Sequence, residues 1–380
     1  MIRVGIDVSS LVQTRAGTAR YLRGLLGHND YEQLTFGGPG RLAALTRDAY
    51  WYPLALPREA RKRSLSVLHC PTFRGPFQSA VPVVVTVHDL AVLRHPGMFN
   101  QWSRRYSRLA VPRVAQGARR LIAVSDFTRR ELVELLDVPE ERIRVIPNAV
   151  GEPFGPDGPR ADGDYVLAVG TLEPRKNLAR TVEAARRAGI ELRVVGGPGW
   201  GGVEVAGAVL LGEVSDDELA ELYRGARCLV YPSLYEGFGI PVLEAMASGT
   251  PVVTSAGGAT EEVAGGAAVL VDPLDPASIA AGLEQASSRR EELAARGLER
   301  ARGFTWDRVA AETWKVYEEA AACPRWSSST PTSSAASAPA TRRMWRICSG
   351  GCRRARATTS ASPRSPGDRT SSLMASSRWS

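Results

Sequence analysis

Short runs rich in Val and Ile alternate with amphipathic stretches from the first residues to about position 320. "IRVGIDVSS", "SVLHCP", "VPVVVTVHDL", "RLIAVSD" and "IRVIPNAV" read as buried strands within residues 1–150. A second series follows, "DYVLAVGTL", "ELRVVGG", "AVLLGEV", "CLVYPS", "PVVTSAGG" and "AAVLVDP", with helical stretches between most members. Strands alternating with helices predict parallel sheets covered on both faces. Between the two series lies "GEPFGPDGPRADG" (151–163), whose Gly, Pro and Asp suit a linker. Thr128-x-x-Glu131 and Ser215-x-x-Glu218 read as capping boxes opening two of the helices. The pattern therefore predicts an α/β protein of two doubly wound, Rossmann-like domains facing each other across a cleft.

Composition sharpens this picture. The 380 residues suffice for two cores, and no apolar run reaches the length of about 18 that a membrane helix needs. "MIRVGIDVSS" reads as a strand rather than a signal peptide. Two of the five cysteines fall in the first 322 residues, which points to a reduced compartment and a cytoplasmic protein. The net charge of +8 divides unevenly: 22 Lys/Arg against 12 Asp/Glu in 1–150, 16 against 27 in 151–322, and 10 against 1 in 323–380. Two halves of opposite sign argue against a nucleic-acid binder. Residues 323–380 hold 15 Ser and 10 Arg with neither a helical nor a strand period. They read as a disordered basic tail or, alternatively, as a frameshift product, since permissible GC-rich codons read in a shifted frame from Trp326 would spell an apolar pattern like that of the chain's own start.

The chemistry concentrates in "YPSLYEGFGIPVLEAMASGTPVV" (231–253), where Glu236 and Glu244 stand eight residues apart. Gly237 and Gly239 allow close approach of a ligand to the backbone, and Pro241 suits the first turn of the helix that follows. Both carboxylates can face one cleft and accept paired hydrogen bonds from vicinal hydroxyls, at about 1.5–3 kcal/mol for each charge-assisted bond. Their bland alternative is a helix-dipole partner. "LAVGTLEPRKNLARTVEAA" places Arg175 and Lys176 after a strand, with Asn177 as the expected N-cap of the next helix. Two cations there suit a diphosphate, and as a solvated pair they would be disfavoured beside a helix start.

These segments together with "VTVHDL", "AVSDFTRREL" and "RVIPNAV" resemble, in order over nearly all of residues 1–322, the retaining glycosyltransferases of family 4. That family has the GT-B architecture and a Glu-x7-Glu motif. The resemblance implies an N-terminal acceptor domain at 1–150, a nucleotide-sugar domain at 151–303, and a helix at 304–320 that crosses back to the first. It implies a nucleotide-diphosphate sugar as donor substrate, with no separate cofactor and no metal. Glu244 would hold the ribose, and Glu236 with the backbone of Gly237, Phe238, Gly239 and Ile240 the transferred sugar. Arg175 and Lys176 would neutralise the leaving diphosphate, His88 would touch the sugar, and Gly17 and Gly170 would border the donor. The first loop departs from the family's Gly-x-Gly, since Ala19 follows Gly17. "HDLAVLRHPGMFNQWSRRY" is similar to bacterial mannosyltransferases, which implies mannose on a guanosine diphosphate carrier and a glycan or lipid-linked acceptor.

Other motifs compete. "DGD" (162–164) matches a metal-binding Asp-x-Asp but sits where turn residues belong. Gly197-x-Gly199-x-x-Gly202 lacks a following helix, which weakens a dinucleotide reading, though the loop could border the donor cleft. His69 and His95 read as structural. "PREARKR" (57–63) and residues 99–120 combine Arg with Trp102 and Tyr106, a surface suited to anionic headgroups at the inner membrane face or to plain solvation. Functional alternatives are a catalytically silent sugar-nucleotide partner and a GT-B epimerase.

Overall fold

The Val- and Ile-rich runs form two six-stranded sheets in a computed structural model that describes residues 2–12, 17–38, 40–99, 101–203 and 205–322. Residues 323–380, and with them the tail and frameshift readings, lie outside the described residues. The first sheet holds β1 (Val4–Asp7), β2 (Glu32–Leu34), β3 (Val67–Cys70), β4 (Val83–Val87), β5 (Arg120–Ala123) and β6 (Ile143–Val145). Its order is β2-β1-β3-β4-β5-β6, all parallel. The second holds β7 (Tyr165–Val169), β8 (Glu191–Val195), β9 (Val209–Gly212), β10 (Leu229–Tyr231), β11 (Val252–Ser255) and β12 (Val269–Val271). Its order is β12-β11-β10-β7-β8-β9, again parallel. Helices cover both faces, so central strands such as β4 are buried at every residue, which is why they read as unbroken apolar runs.

The second order reverses direction between β7 and β10. In open parallel sheets the loops at the carboxyl ends of two such strands diverge and leave a crevice. The loops in question begin at Gly170 and Pro232, so the topology brings Arg175 and Lys176 opposite Glu236.

Helix Trp306–Ala322 packs on β3, β4 and β5 and on helix Gly17–Leu26. Gly24 makes the approach of the two helices feasible, since a Cβ there would stand 2.2 Å from the Trp306 ring. His69 fastens the returning helix, with Nδ1 2.7 Å from the Tyr317 hydroxyl and Nε2 2.8 Å from Thr86 Oγ1. Burial pulls His69 down to about 3, so the ring is neutral and structural, as its sequence context predicts. Glu319 of the same helix pairs with Arg120 and Arg144, each at 3.1 Å. The linker is tied down as well, because Arg224 donates to the carbonyls of Pro159 (2.6 Å) and Gly155 (3.2 Å).

One predicted cap is correct and another is displaced. Ser215 and Glu218 form a reciprocal capping box. The cap of helix Asp126–Leu136 is Ser125 rather than Thr128, its Oγ accepting from the Thr128 amide at 3.0 Å. Glu131 serves another partner, described below. No helix among the described residues is long and apolar enough to cross a membrane.

Replacing Tyr317 by Phe removes the hydroxyl and leaves His69 Nδ1 buried without a partner. The expected loss is about 1–3 kcal/mol of unfolding free energy. Urea denaturation of the full chain measures it, and an unchanged midpoint would contradict this role.

Candidate active site

The chain after β7 must pass under a lysine stem. Gly170 has φ +147°, and a Cβ on it would lie 3.0 Å from Lys176 Cε. Pro174–Lys176 forms a single 3-10 turn that ends at Asn177 in the left-handed region, φ 60°. Asn177 stands at the N-cap position of helix Leu178–Ala188, but its side chain does not cap. Its Nδ2 donates instead to the carbonyls of Pro232 (3.0 Å) and Pro273 (2.6 Å). The Leu234 amide donates to the Arg175 carbonyl at 2.8 Å. Backbone groups that would otherwise be unpaired thus pin the cationic turn to the loop carrying Glu236.

Glu236 is gripped from both sides. Arg175 contacts its Oε2 at 2.7 Å, and Lys176 Nζ contacts its Oε1 at 2.7 Å. The Tyr231 hydroxyl, 2.6 Å from Lys176 Nζ, donates to Oε1 at 2.8 Å. Arg175 also lies 2.8 Å from the carboxylate of Glu173, which is 1% exposed. Two cations and two anions therefore share a nearly dry volume. Burial opposes ionisation of Glu236, but the charges of Lys176 and Arg175 and the hydrogen bonds from Lys176 and Tyr231 outweigh it and hold the carboxyl at about 2. Burial pushes Glu173 up and Lys176 down.

Gly237 is where the two sheets' loops meet. A Cβ on it would stand 1.7 Å from the His88 carbonyl oxygen. The Gly237 carbonyl accepts from Ser125 Oγ at 2.6 Å and Thr128 Oγ1 at 3.1 Å. His88 is thus adjacent to the Glu236 loop through its backbone. Its ring Nε2 lies 3.0 Å from the Pro71 carbonyl and packs edge-on against Tyr21 at 5.0 Å, and burial lowers its pKa. Beside it the Tyr235 hydroxyl donates to Glu131 at 2.5 Å and accepts from the Leu90 amide at 3.2 Å. Glu262, from the second half, accepts from the Asp126 and Phe127 amides at 2.7 and 2.9 Å, satisfying the start of a first-half helix.

Glu244 is separately held. Its side chain is 2% exposed, ion-paired with Arg20 and hydrogen-bonded by the Tyr223 hydroxyl at 3.1 Å. Arg20 also reaches Asp216 at 2.5 Å and lies over the Phe154 ring at 5.3 Å. Burial pushes Glu244 up, against the pull of Arg20. Gly17 opens the helix that carries Arg20 and faces Ile240, whose Cδ1 would be 3.2 Å from a Cβ on it. Ala19 is fully buried in that helix. Gly239 precedes helix Ile240–Ala247 at φ +100°, and Phe238 turns its ring into the core against Phe304, 6.1 Å away.

The structure therefore joins Arg175, Lys176 and Glu236 directly, and sets Gly170, Gly237 and the His88 backbone around them. It gives Glu244 partners of its own. Sequence reasoning missed Arg20, Tyr223, Tyr231, Glu173 and Glu262. Arg20 follows Gly17 by one helical turn, but no spacing reveals a partner 224 residues away. The competing motifs are otherwise engaged. Asp164 pairs with Arg227, Gly199 lies against the Leu172 backbone, and His95 packs on Tyr235 at 5.2 Å. Among the described residues no group of three or more His, Cys, Asp and Glu could hold a metal.

Two outcomes follow for this geometry. Gly237→Ala forces the two halves apart at His88 and is expected to cost about 1–3 kcal/mol or more in thermal unfolding, whereas a value near zero would mean the contact is dispensable. A carboxyl held below its ordinary 4.5 contributes stability that is complete above that value and lost as the pH falls through about 2. The stability gap between wild type and Glu236→Gln should accordingly stay constant down to about pH 5.5 and shrink below about pH 4.5, as urea denaturation across pH would show.

Comparison with known proteins identifies the family and the fold. The family description "Glycosyltransferase Family 4" matches residues 1–151, and "Glycosyl transferases group 1" matches residues 154–303. The O-antigen chain mannosyltransferase B of Escherichia coli is 33% identical over 282 residues, 66% of this chain and 74% of that protein. A D-inositol 3-phosphate glycosyltransferase of Frankia alni is 34% identical over 63% of this chain and 69% of its own length. The crystal structure of Anabaena HepE in complex with UDP and glucose superposes with TM-score 0.65 at 15% identity, covering 84% of this chain and 100% of that one. The chain belongs to the group 1 glycosyltransferases, has their GT-B fold, and is similar to bacterial mannosyltransferases.

Proposed function

We propose that the protein is a retaining, metal-independent glycosyltransferase that moves mannose from a nucleoside diphosphate sugar to a glycan. The observation that carries this reading is the partly buried pair Arg175 and Lys176 at the crevice between β7 and β10, aimed at one carboxylate. A diphosphate entering there meets cations largely shielded from water, and in such a site charges act more strongly than at the surface. Glu244, paired with Arg20, then exchanges that partner for the ribose hydroxyls. The named activity of the Escherichia coli relative supports mannose and a glycan, and the UDP and glucose in the HepE structure support a nucleotide-sugar donor. Neither relative favours a silent partner or an epimerase.

In this reading the bond from the anomeric carbon to phosphate oxygen breaks with its electron pair passing to the diphosphate. Positive charge grows on the sugar while the acceptor hydroxyl attacks from the same face and gives its proton to a phosphate oxygen. Arg175 and Lys176 stabilise the departing charge. Both oxygens of Glu236 are already engaged and its pKa is about 2, which makes it a poor nucleophile and favours same-face attack over double displacement.

The test is donor turnover over a panel of nucleotide sugars. Arg175→Ala should lower kcat by about 10²–10³-fold while donor affinity changes much less. Glu244→Ala should weaken donor binding by about tenfold or more, the worth of a charge-assisted hydrogen bond. Unchanged kinetics in both variants would place the site elsewhere.

A further inference from the structure

Arg20 reaches out of the first half and closes on the second. Its Nη1 pairs with Oε1 of Glu244, and its Nη2 with Oδ1 of Asp216 at 2.5 Å. The guanidinium lies over the Phe154 ring at 5.3 Å, and Phe154 in turn meets Tyr223 edge-on at 6.0 Å. The helix that carries Arg20 explains why it is held there. Ala19 stands where the family's first loop has a second glycine, and alanine favours a helix over glycine by about 1 kcal/mol. Helix Gly17–Leu26 therefore includes both residues, and the buried Ala19 fixes the face from which Arg20 projects.

The two carboxylates that Arg20 bridges are unequal. Glu244 is 2% exposed, and its Oε2 is taken by the Tyr223 hydroxyl, a fully buried group of the same half. Asp216 is 46% exposed, in the first turn of helix Asp216–Gly225. Tyr223 cannot leave Glu244 without unpacking a core, whereas Arg20, 24% exposed, can swing. A ribose diol that comes to Glu244 therefore takes the oxygen that Arg20 now holds, and the guanidinium keeps Asp216. One cation facing two carboxylates is already balanced, so it adds little attraction for a diphosphate.

We propose that Arg20 is an internal competitor of the donor: it occupies the ribose carboxylate of the empty enzyme, and each nucleotide must move it onto Asp216 to bind. The inference rests on the glycosyl-transfer reading above, with Glu244 as the ribose partner. Two residues of one ion network then act on donor affinity with opposite signs. Loss of Arg20 frees Glu244 in advance, so the binding-competent fraction of the protein rises. A carboxyl accepts from a diol whether or not it carries a proton, so the gain survives neutralisation of Glu244. Loss of the Asp216 charge removes the partner that receives the displaced guanidinium, and Arg20 stays on Glu244. An ion pair that only braced the fold would move affinity the same way in both variants.

Isothermal titration calorimetry of the full chain with GDP, UDP and ADP, each beside its 2′,3′-dideoxy form, tests this. For the nucleotide that wild type binds, Arg20→Met should lower Kd by about fivefold and Asp216→Asn should raise it by about threefold, the strength expected of ion pairs this exposed. The dideoxy form brings no diol to Glu244 and should bind both variants within about twofold of wild type, which also reports that they fold. Asp216 is half exposed, so its variant reports even where Arg20→Met does not fold. A raised Kd for Arg20→Met overturns the inference, because Arg20 would then be a ligand of the donor. So do shifts of the same sign in both variants, a Kd unmoved in both, or a gain that persists with the dideoxy form. A wild-type protein that binds none of the three ribonucleotides overturns the glycosyl-transfer reading itself, which keeps the two failures apart.

Discussion

The carboxylate of Glu236 shared between Arg175 and Lys176 orders everything near the crevice. Two cations brought together out of water would repel each other and lose hydration. A carboxylate with one oxygen for each relieves both costs, and Tyr231 and Glu173 complete the network. Its members come from the ends of β7 and β10, so the network forms only if the second sheet has its strands in the reversed order. Asn177 then holds the cationic turn against the facing loop by donating to two of its neighbours' carbonyls.

The two halves exchange polar groups, and Val124 of the first also packs into the apolar core of the second. Each lends the other what its own backbone lacks. Glu262 satisfies the first amides of helix Asp126–Leu136, and Ser125 and Thr128 satisfy the carbonyl of Gly237. Arg20 neutralises the buried Glu244. Such contacts are directional, so they fix how the loops meet while leaving clefts between them that a ligand can enter. The helix Trp306–Ala322 adds a second covalent passage between the halves, anchored by the neutral ring of His69.

Much of this was legible in the chain. Runs rich in Val, Ile and Leu marked eleven of the twelve strands among the described residues, because central strands covered on both faces are mostly apolar, although Asp7, His69 and Thr86 are buried within them and β9 is exposed. The short β2 (Glu32–Leu34) was missed, since an edge strand with one buried residue leaves no such run. Glu236, Arg175 and Lys176 stood out because charged residues flanked glycines at strand ends. The cap at Ser125 was misplaced by three residues because Ser125 and Thr128 are chemically alike, and only the helix start distinguishes them. Ser215 and Glu218 were read correctly, as their box closes locally.

The sequence alone determined what is local: strand and helix periods, turn residues, and which side chains could bear charge near a strand's end. Tertiary structure decided every pairing between distant segments. Glu244 faces Arg20 rather than open cleft, His88 meets the Glu236 loop by its backbone, and Trp200 lies across a loop of the other half. Periodicity records which face of an element is buried, but carries no information about which remote group is buried against it.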